Sequence, residues 1–286
     1  MIGVDWGTSS LRAYRLGADG QVREKRDGAD GILTVPEGGF PAVLRRVVGD
    51  WLADGERQVL LCGMVGSRQG WVEAPYLPCP AGPAEICAAL MAVPFEDAET
   101  RLVPGLLTRD AGGVPDVMRG EETKLLGLLA GGVEGLVCLP GTHSKWARLR
   151  GGRIEGFETH MTGEVRAVLL AHSILGRLAA SGSSAGAFGR GVERAGAAGG
   201  LLHHLFGTRG LGLQGELAEA ETADYLSGLL IGHEIRAAWD GREAVHLAAA
   251  ATLAAPYAAA LAQLGAQVVR HDDDVVATGL WRLGQA

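Results

Sequence analysis

Two short loops hold the residue types best suited to chemistry. The first is Asp5-Trp6-Gly7-Thr8-Ser9-Ser10, with Arg12 on the strand that leaves it. A turn between two strands can aim several backbone N–H groups at a phosphate. Gly7 allows close backbone approach, and Thr8, Ser9 and Ser10 add hydroxyl donors. Asp5, at a strand end, can hold a magnesium ion through its water shell, because magnesium takes few carboxylates and keeps its waters. The second loop is Pro140-Gly141-Thr142-His143-Ser144-Lys145-Trp146. Its Gly-Thr-x-Ser core suits the other end of a phosphate chain, and Lys145 supplies a point charge. His143 reads equally as a ligand or as an ordinary polar loop residue. Leu139 stands where the first loop has Asp5, so only the first can offer a metal ligand.

Two further segments are candidates. In Pro115–Lys124, Glu121 and Glu122 open a helix. Carboxylates there usually complement the helix dipole, but one placed in a cleft could also take a proton from an attacking hydroxyl. Successive helical residues point about 100° apart, so the two cannot share one task. Glu122 is placed ahead of Glu121 as the base, with Asp116 behind. In Gly63-Met64-Val65-Gly66-Ser67-Arg68-Gln69-Gly70-Trp71, Arg68 could fork onto a substrate carboxylate. Ser67 and Gln69 are candidate substrate contacts beside it, Gln69 as a reader of hydroxyls, and Trp71 is expected to pack.

The elements that position these loops follow from hydrophobic period. Strands are expected over 2–6, 11–16, 21–26, 59–65 and 101–107, helices over 40–52, 85–91 and 121–129, and 75–83 must be loop because of its prolines. The second half restarts with a strand over 136–139, then a hairpin with arms 146–150 and 153–158. Helices over 162–175 and 216–239, a strand over 244–247, a helix over 256–264 and a strand over 267–270 follow. A closing helix over 272–283 has an acidic first turn. The Gly- and Ala-rich region 181–215 is expected to be a helical insert, and adjacent His203 and His204 are poorly spaced for joint metal binding. Strand, Gly-Thr loop and hairpin thus occur twice in the same order. Superposing Gly7-Thr8 on Gly141-Thr142 aligns Ser10 with Ser144 and Ala13 with Ala147. The chain therefore divides into an N-terminal lobe, 1–118, completed by the closing helix 272–286, and a C-terminal lobe, 119–286.

Composition excludes several classes. The chain has 286 residues, is 47% hydrophobic and carries a formal net charge of -7, enough for two lobes with their own cores. Mild acidity argues against a nucleic-acid surface. The four cysteines have no CxxC spacing, so a reduced, cytoplasmic chain without structural zinc is expected. No cleavable leader precedes the first strand, and the apolar stretch 247–262 is too short and too weakly hydrophobic to span a membrane.

The strings Gly63–Trp71, Met118–Thr123, Leu139–Trp146 and Met161-Thr162-Gly163-Glu164, with the opening Val4–Arg12, resemble 2-dehydro-3-deoxygalactonokinases in order over nearly the whole chain. That resemblance implies an α/β fold of the two-lobed actin-like (ribonuclease H-like) ATPase superfamily, each lobe setting a hairpin loop against nucleotide phosphates. It implies transfer of the γ-phosphate of ATP, with Mg2+, to the 6-hydroxyl of 2-dehydro-3-deoxy-D-galactonate. Carried over, Asp5 to Ser10 is the first phosphate loop and Gly141 to Lys145 the second. Gly120-Glu121-Glu122 resembles the catalytic glutamate segment of exopolyphosphatases. Residues 245–264 are similar to the adenosine motif, although Ala248 to Ala251 stand where sugar kinases often have glycines, and a β-carbon limits close approach. The expected partner is a small sugar acid, with no nucleic acid or membrane, and a homodimer is the assembly carried as the expectation. Two rivals are a phosphohydrolase of the same fold, which lacks a basic channel for a polyanion, and a non-enzymatic actin-like module, which lacks filament-forming insertions.

Overall fold

The computed structural model describes residues 1–285. β1 (Ile2–Trp6) and β2 (Leu11–Leu16) form an antiparallel hairpin that sets Asp5 opposite Arg12. Their alternating apolar residues are buried, and β3 (Val22–Gly28) adds antiparallel to β2. Helix α1 (Phe40–Ala53) buries Leu44, Val48 and Trp51, one stripe at helical spacing. β4 (Gln58–Cys62) runs parallel to β1, which sets Cys62 beside Asp5. The strand stops there, and the residues expected to extend it form a 3-10 turn over Met64–Gly66.

The proline-rich stretch is not all loop. β5 (Tyr76–Pro78) is an edge strand pairing with β8, because an edge tolerates a residue without a donor. After α2 (Pro83–Ala88) come β6 (Met91–Ala92), β7 (Glu99–Leu102), β8 (Gly105–Arg109) and β9 (Pro115–Met118). The one strand expected at 101–107 is therefore two, interrupted at Val103-Pro104, where proline removes a ladder donor. Helix α3 (Glu121–Ala130) follows directly.

The second restart is β10 (Gly135–Leu139), then the hairpin arms β11 (Ser144–Arg150) and β12 (Arg153–His160). Helices α4 (Thr162–His172), α5 (Ala185–Arg194), α6 (Gly200–Leu213) and α7 (Glu219–Ala238) come next, so the Gly- and Ala-rich region is largely helical. β13 (Val245–Ala248), α8 (Ala251–Gln263), β14 (Val268–His271) and α9 (Val275–Gly284) close the chain.

These elements fall into two compact units, Met1–Glu134 with Ala147–Phe157 and Asp273–Ala286, and Gly135–Trp146 with Glu158–Asp272. The first contains a six-stranded sheet ordered β3-β2-β1-β4-β7-β6 and a small sheet β5-β8-β9. It keeps α3 because α3 packs on α9, with Leu125, Leu126, Val276 and Leu280 all buried. A boundary at residue 118 therefore falls ahead of a helix that packs within this unit. In the second unit β10, β13 and β14 run parallel, and Cys138, Trp146, Ile235, Leu247 and Leu261 share one core. Among the described residues no helix is long and apolar enough to cross a membrane.

Candidate active site

In the first unit the β1–β2 turn is a tight one, with the Gly7 N–H donating to the Ser10 carbonyl at 2.9 Å. Thr8, Ser9 and Ser10 are exposed, and their hydroxyls have no hydrogen-bond partner among the described residues. The segment after β3 is laid along this turn. Ile32 N–H donates to the Gly7 carbonyl at 3.0 Å and Leu33 N–H to that of Thr8 at 3.2 Å. Only glycine fits at residue 31, since a Cβ there would lie 2.3 Å from Ser9 backbone atoms.

Around Asp5 the unit gathers charge from four places in the sequence. Loss of hydration raises the Asp5 pKa, while Lys124 and Arg12 pull it the other way. Asp273, just before α9, accepts a hydrogen bond from Arg12 and another from the Lys124 ammonium at 2.6 Å. Burial works against the Asp273 charge, but Lys124 and Arg12 outweigh it and hold that carboxyl below its usual range. The Asp triplet is thus more than a dipole complement for α9. Neither Asp273 nor Lys124 was singled out by the sequence reading, and the run of three aspartates was the one signal available. Among the described residues no cluster of three or more His, Cys, Asp or Glu side chains forms a metal cage. One poorly hydrated carboxylate beside a phosphate loop is nonetheless what a magnesium ion carried in on phosphates requires.

The two glutamates separate clearly. Glu122 is 0% exposed. One of its oxygens accepts the Gly120 N–H at 2.6 Å and the other the Thr123 hydroxyl at 3.1 Å. Burial, then the neighbouring Glu121 charge, pushes the Glu122 pKa up to about 8. Glu121 is half-buried and accepts only the Arg119 N–H, at 3.1 Å, among its hydrogen bonds. Asp116 lies on β9, paired in register with Thr108. In the Gly63–Trp71 loop, Gln69 is exposed and the Arg68 side chain is 88% exposed, 3.8 Å from Glu73. Ser67 turns its hydroxyl inward, and Trp71 packs between Phe40 and Phe95.

In the second unit strand alternation sorts the loop side chains. Ser144 and Trp146 share a face on which the Glu234 carboxylate accepts the Trp146 indole N–H at 2.8 Å and the Tyr257 hydroxyl at 2.6 Å. Tyr257 in turn lies 2.7 Å from the Ser144 hydroxyl. The Ser144 side chain, 0% exposed, is therefore committed to the core, which corrects its expected place on a phosphate. Lys145, on the opposite face, is 5% exposed, and among the described residues no carboxylate pairs with it. Thr142 and His143 are exposed, and His143 makes a close contact with Glu164 on α4. The start of α4 lies on this loop, with Glu164 N–H donating to the Thr142 carbonyl at 3.0 Å. A Cβ on Gly163 would lie 2.6 Å from the Gly141 carbonyl.

A cavity of about 280 Å³ runs from Gly141, Thr162 and Gly163 to Thr252, Leu253 and Pro256 of α8, with Arg166 and Asp224 on its wall. Pro256 has no N–H, so the Thr252 carbonyl loses its regular helical donor at the cavity. Arg166, Asp224, Glu234 and Tyr257 were not anticipated, because nothing local marks residues on three different helices as neighbours.

The family model for 2-keto-3-deoxy-galactonokinase matches residues 5–283. A 2-dehydro-3-deoxygalactonokinase of Escherichia coli (strain K12) is 36% identical over 271 residues, which cover 93% of this chain and 91% of the relative. The crystal structure of a Sinorhizobium meliloti protein, provisionally assigned to the same enzyme, superposes with a TM-score of 0.90 at 40% identity, covering 99% of this chain and 98% of that one. A Clostridium difficile activator of 2-hydroxyisocaproyl-CoA dehydratase, solved with ADPNP, shares 12% identity and a TM-score of 0.50, over 100% of this chain and 94% of that one. At that identity the likeness concerns fold alone, and the fold is that of the actin-like ATPases. With the model match and the Escherichia coli relative each spanning more than nine-tenths of it, the chain belongs to the 2-keto-3-deoxy-galactonokinase family.

Proposed function

We propose that this protein is an ATP-dependent kinase that phosphorylates 2-dehydro-3-deoxy-D-galactonate on its 6-hydroxyl, and that its two compact units are the lobes of an actin-like kinase. Beyond family membership, one observation carries the reading. In the second unit the Gly141–Lys145 loop, with an unpaired and nearly buried lysine, opens onto the cavity bounded by α8. A cation held out of water without a counter-ion favours an anion, and a semi-apolar recess beside it suits a nucleoside whose phosphates lie on the loop.

In this reading the first unit brings the turn 7–10 to phosphate, and Asp5 holds Mg2+ through water. The ion would neutralise phosphate charge, and the rest is positioning. Gly7, Thr8, Ser9 and Ser10 supply donors, as do the backbone N–H groups of the second loop, Thr142 and Lys145. His143 is held by Glu164 at the edge of that loop. Glu121 orients and deprotonates the sugar hydroxyl. It is half-buried and makes a single hydrogen bond, whereas both oxygens of Glu122 are already engaged. The loop of Ser67, Arg68 and Gln69 belongs to the sugar-acid side. Free cysteines suit a cytoplasmic setting, and the homodimer expectation rests on exposed Leu202, Phe206 and Leu213 of α6.

A coupled ADP-release assay with and without the keto-deoxy acid tests the proposal. Sugar-dependent ADP is the expected result. Phosphate release without sugar would instead mean a hydrolase, and nucleotide binding without turnover a non-enzymatic module.

A further inference from the structure

Three buried side-chain donors in the first unit have no partner. They are Nε and Nη1 of Arg119 and the hydroxyl of Ser67. Arg119 is 8% exposed, and among the described residues no carboxylate pairs with it. Its guanidinium lies 4.4 Å from the Tyr76 ring centroid, and Nη2 donates to the Ala74 carbonyl at 2.7 Å. Those contacts hold the group in place and leave its charge unanswered. The donors are close together, since Ser67 follows Gly66 and a Cβ on Gly66 would lie 2.9 Å from Nη1.

A buried cation ordinarily has an anion beside it, because desolvation without compensation is costly. Here the chain supplies none. The Arg68 guanidinium, by contrast, stands in water at the tip of the same loop, where a carboxylate gains little from an ion pair. Accepting the kinase reading above, we infer that Arg119 and Ser67 bind the carboxylate of the sugar acid beneath the Gly63–Trp71 loop, and that Arg68 does not. Nε, Nη1 and the Ser67 hydroxyl face protein in this conformation, so the segment 66–70 lifts to admit the acid. A planar guanidinium already fixed by Tyr76 and Ala74 loses little freedom on binding.

Calorimetric titration with 2-dehydro-3-deoxy-D-galactonate and with its 1-carboxamide, without nucleotide, tests this. Wild type should bind the acid far more tightly than the amide. Arg119→Gln should weaken acid binding about 50-fold, in line with loss of a charged hydrogen-bond donor, and change amide binding by less than about 3-fold if only the charge contact is lost. Arg119→Lys should keep part of the preference, and Ser67→Ala, which leaves the Tyr76 and Ala74 contacts intact, should weaken acid binding about 5-fold. Equal losses for acid and amide in Arg119→Gln would reduce Arg119 to a loop brace and overturn the inference. So would loss of the preference in Arg68→Ala, or wild type that does not bind the acid. Tight, Arg119-dependent binding without sugar-dependent ADP release would uphold the inference and sink the kinase reading.

Discussion

The turn after β1 and the turn after β10 share the core Gly-Thr-x-Ser, and each is pinned by a later glycine, Gly31 or Gly163, that admits no side chain. Their surroundings differ. The first is flanked by a charged network of Asp5, Arg12, Lys124 and Asp273. The second is backed by a buried network of Ser144, Tyr257, Glu234 and Trp146. One backbone device thus serves twice, and the residues beneath it decide the task. With Asp5 below, the turn can handle a metal; with Leu139 and an apolar core below, it can hold only phosphate and nucleoside.

Asp5→Asn strikes that difference hardest. The proposal expects kcat to fall by about 1,000-fold or more, as for loss of a group that stabilises transferring charge. Steady-state ADP release at saturating magnesium measures it, and a fall of less than 10-fold would remove Asp5 from the chemistry.

Next in size is the contrast between neighbours. Glu121→Gln should lower kcat by about 100-fold, a typical loss for general base catalysis, while Glu122→Gln should keep most turnover. If Glu122→Gln is the damaged variant, the assignments are reversed.

Gly163→Ala and Gly31→Ala test whether the pinning segments matter alike. Each drives a Cβ into backbone, at 2.6 Å and 2.3 Å respectively. The strain should weaken ATP binding by about 10-fold or more in both, read by KM for ATP. Damage in only one would break the parallel.

Glu122 also predicts a pH effect. Its folded pKa, about 8, lies above the ordinary 4.5, so between those values the folded state binds more protons than the unfolded state. Its contribution is fully present below about pH 4.5 and lost as pH rises through 8. Urea melts across that window should show stability falling with pH, less steeply in Glu122→Gln.

The smallest effect belongs to the second unit's network. Tyr257→Phe removes one donor to buried Glu234 and should cost about 1–3 kcal/mol. A melting temperature equal to wild type would mean the network adds nothing.

Much of the fold was legible. β1 and β2 have the expected limits, because alternation and an adjacent Gly-Thr turn specify a hairpin locally. Elements whose reason is non-local were missed. β5 exists because β8 offers it an edge, and β9 because it pairs with β8. Helix α8 begins at Ala251, ahead of the proline expected to start it. His204, whose neighbour in sequence is His203, hydrogen-bonds instead to His233 at 2.9 Å.

The sequence by itself determined the two Gly-Thr turns, the strands that present them and the acidic start of α3, since these depend on residue type and short-range period. Tertiary structure decided that Ser144 turns inward while Ser10 stays in water, that Glu122 is sealed and Glu121 is not, and that Arg119 rather than Arg68 is the buried cation. Exposure, charge state and hydrogen-bond partners are set by segments distant in sequence that fold against a residue, and no local pattern encodes them.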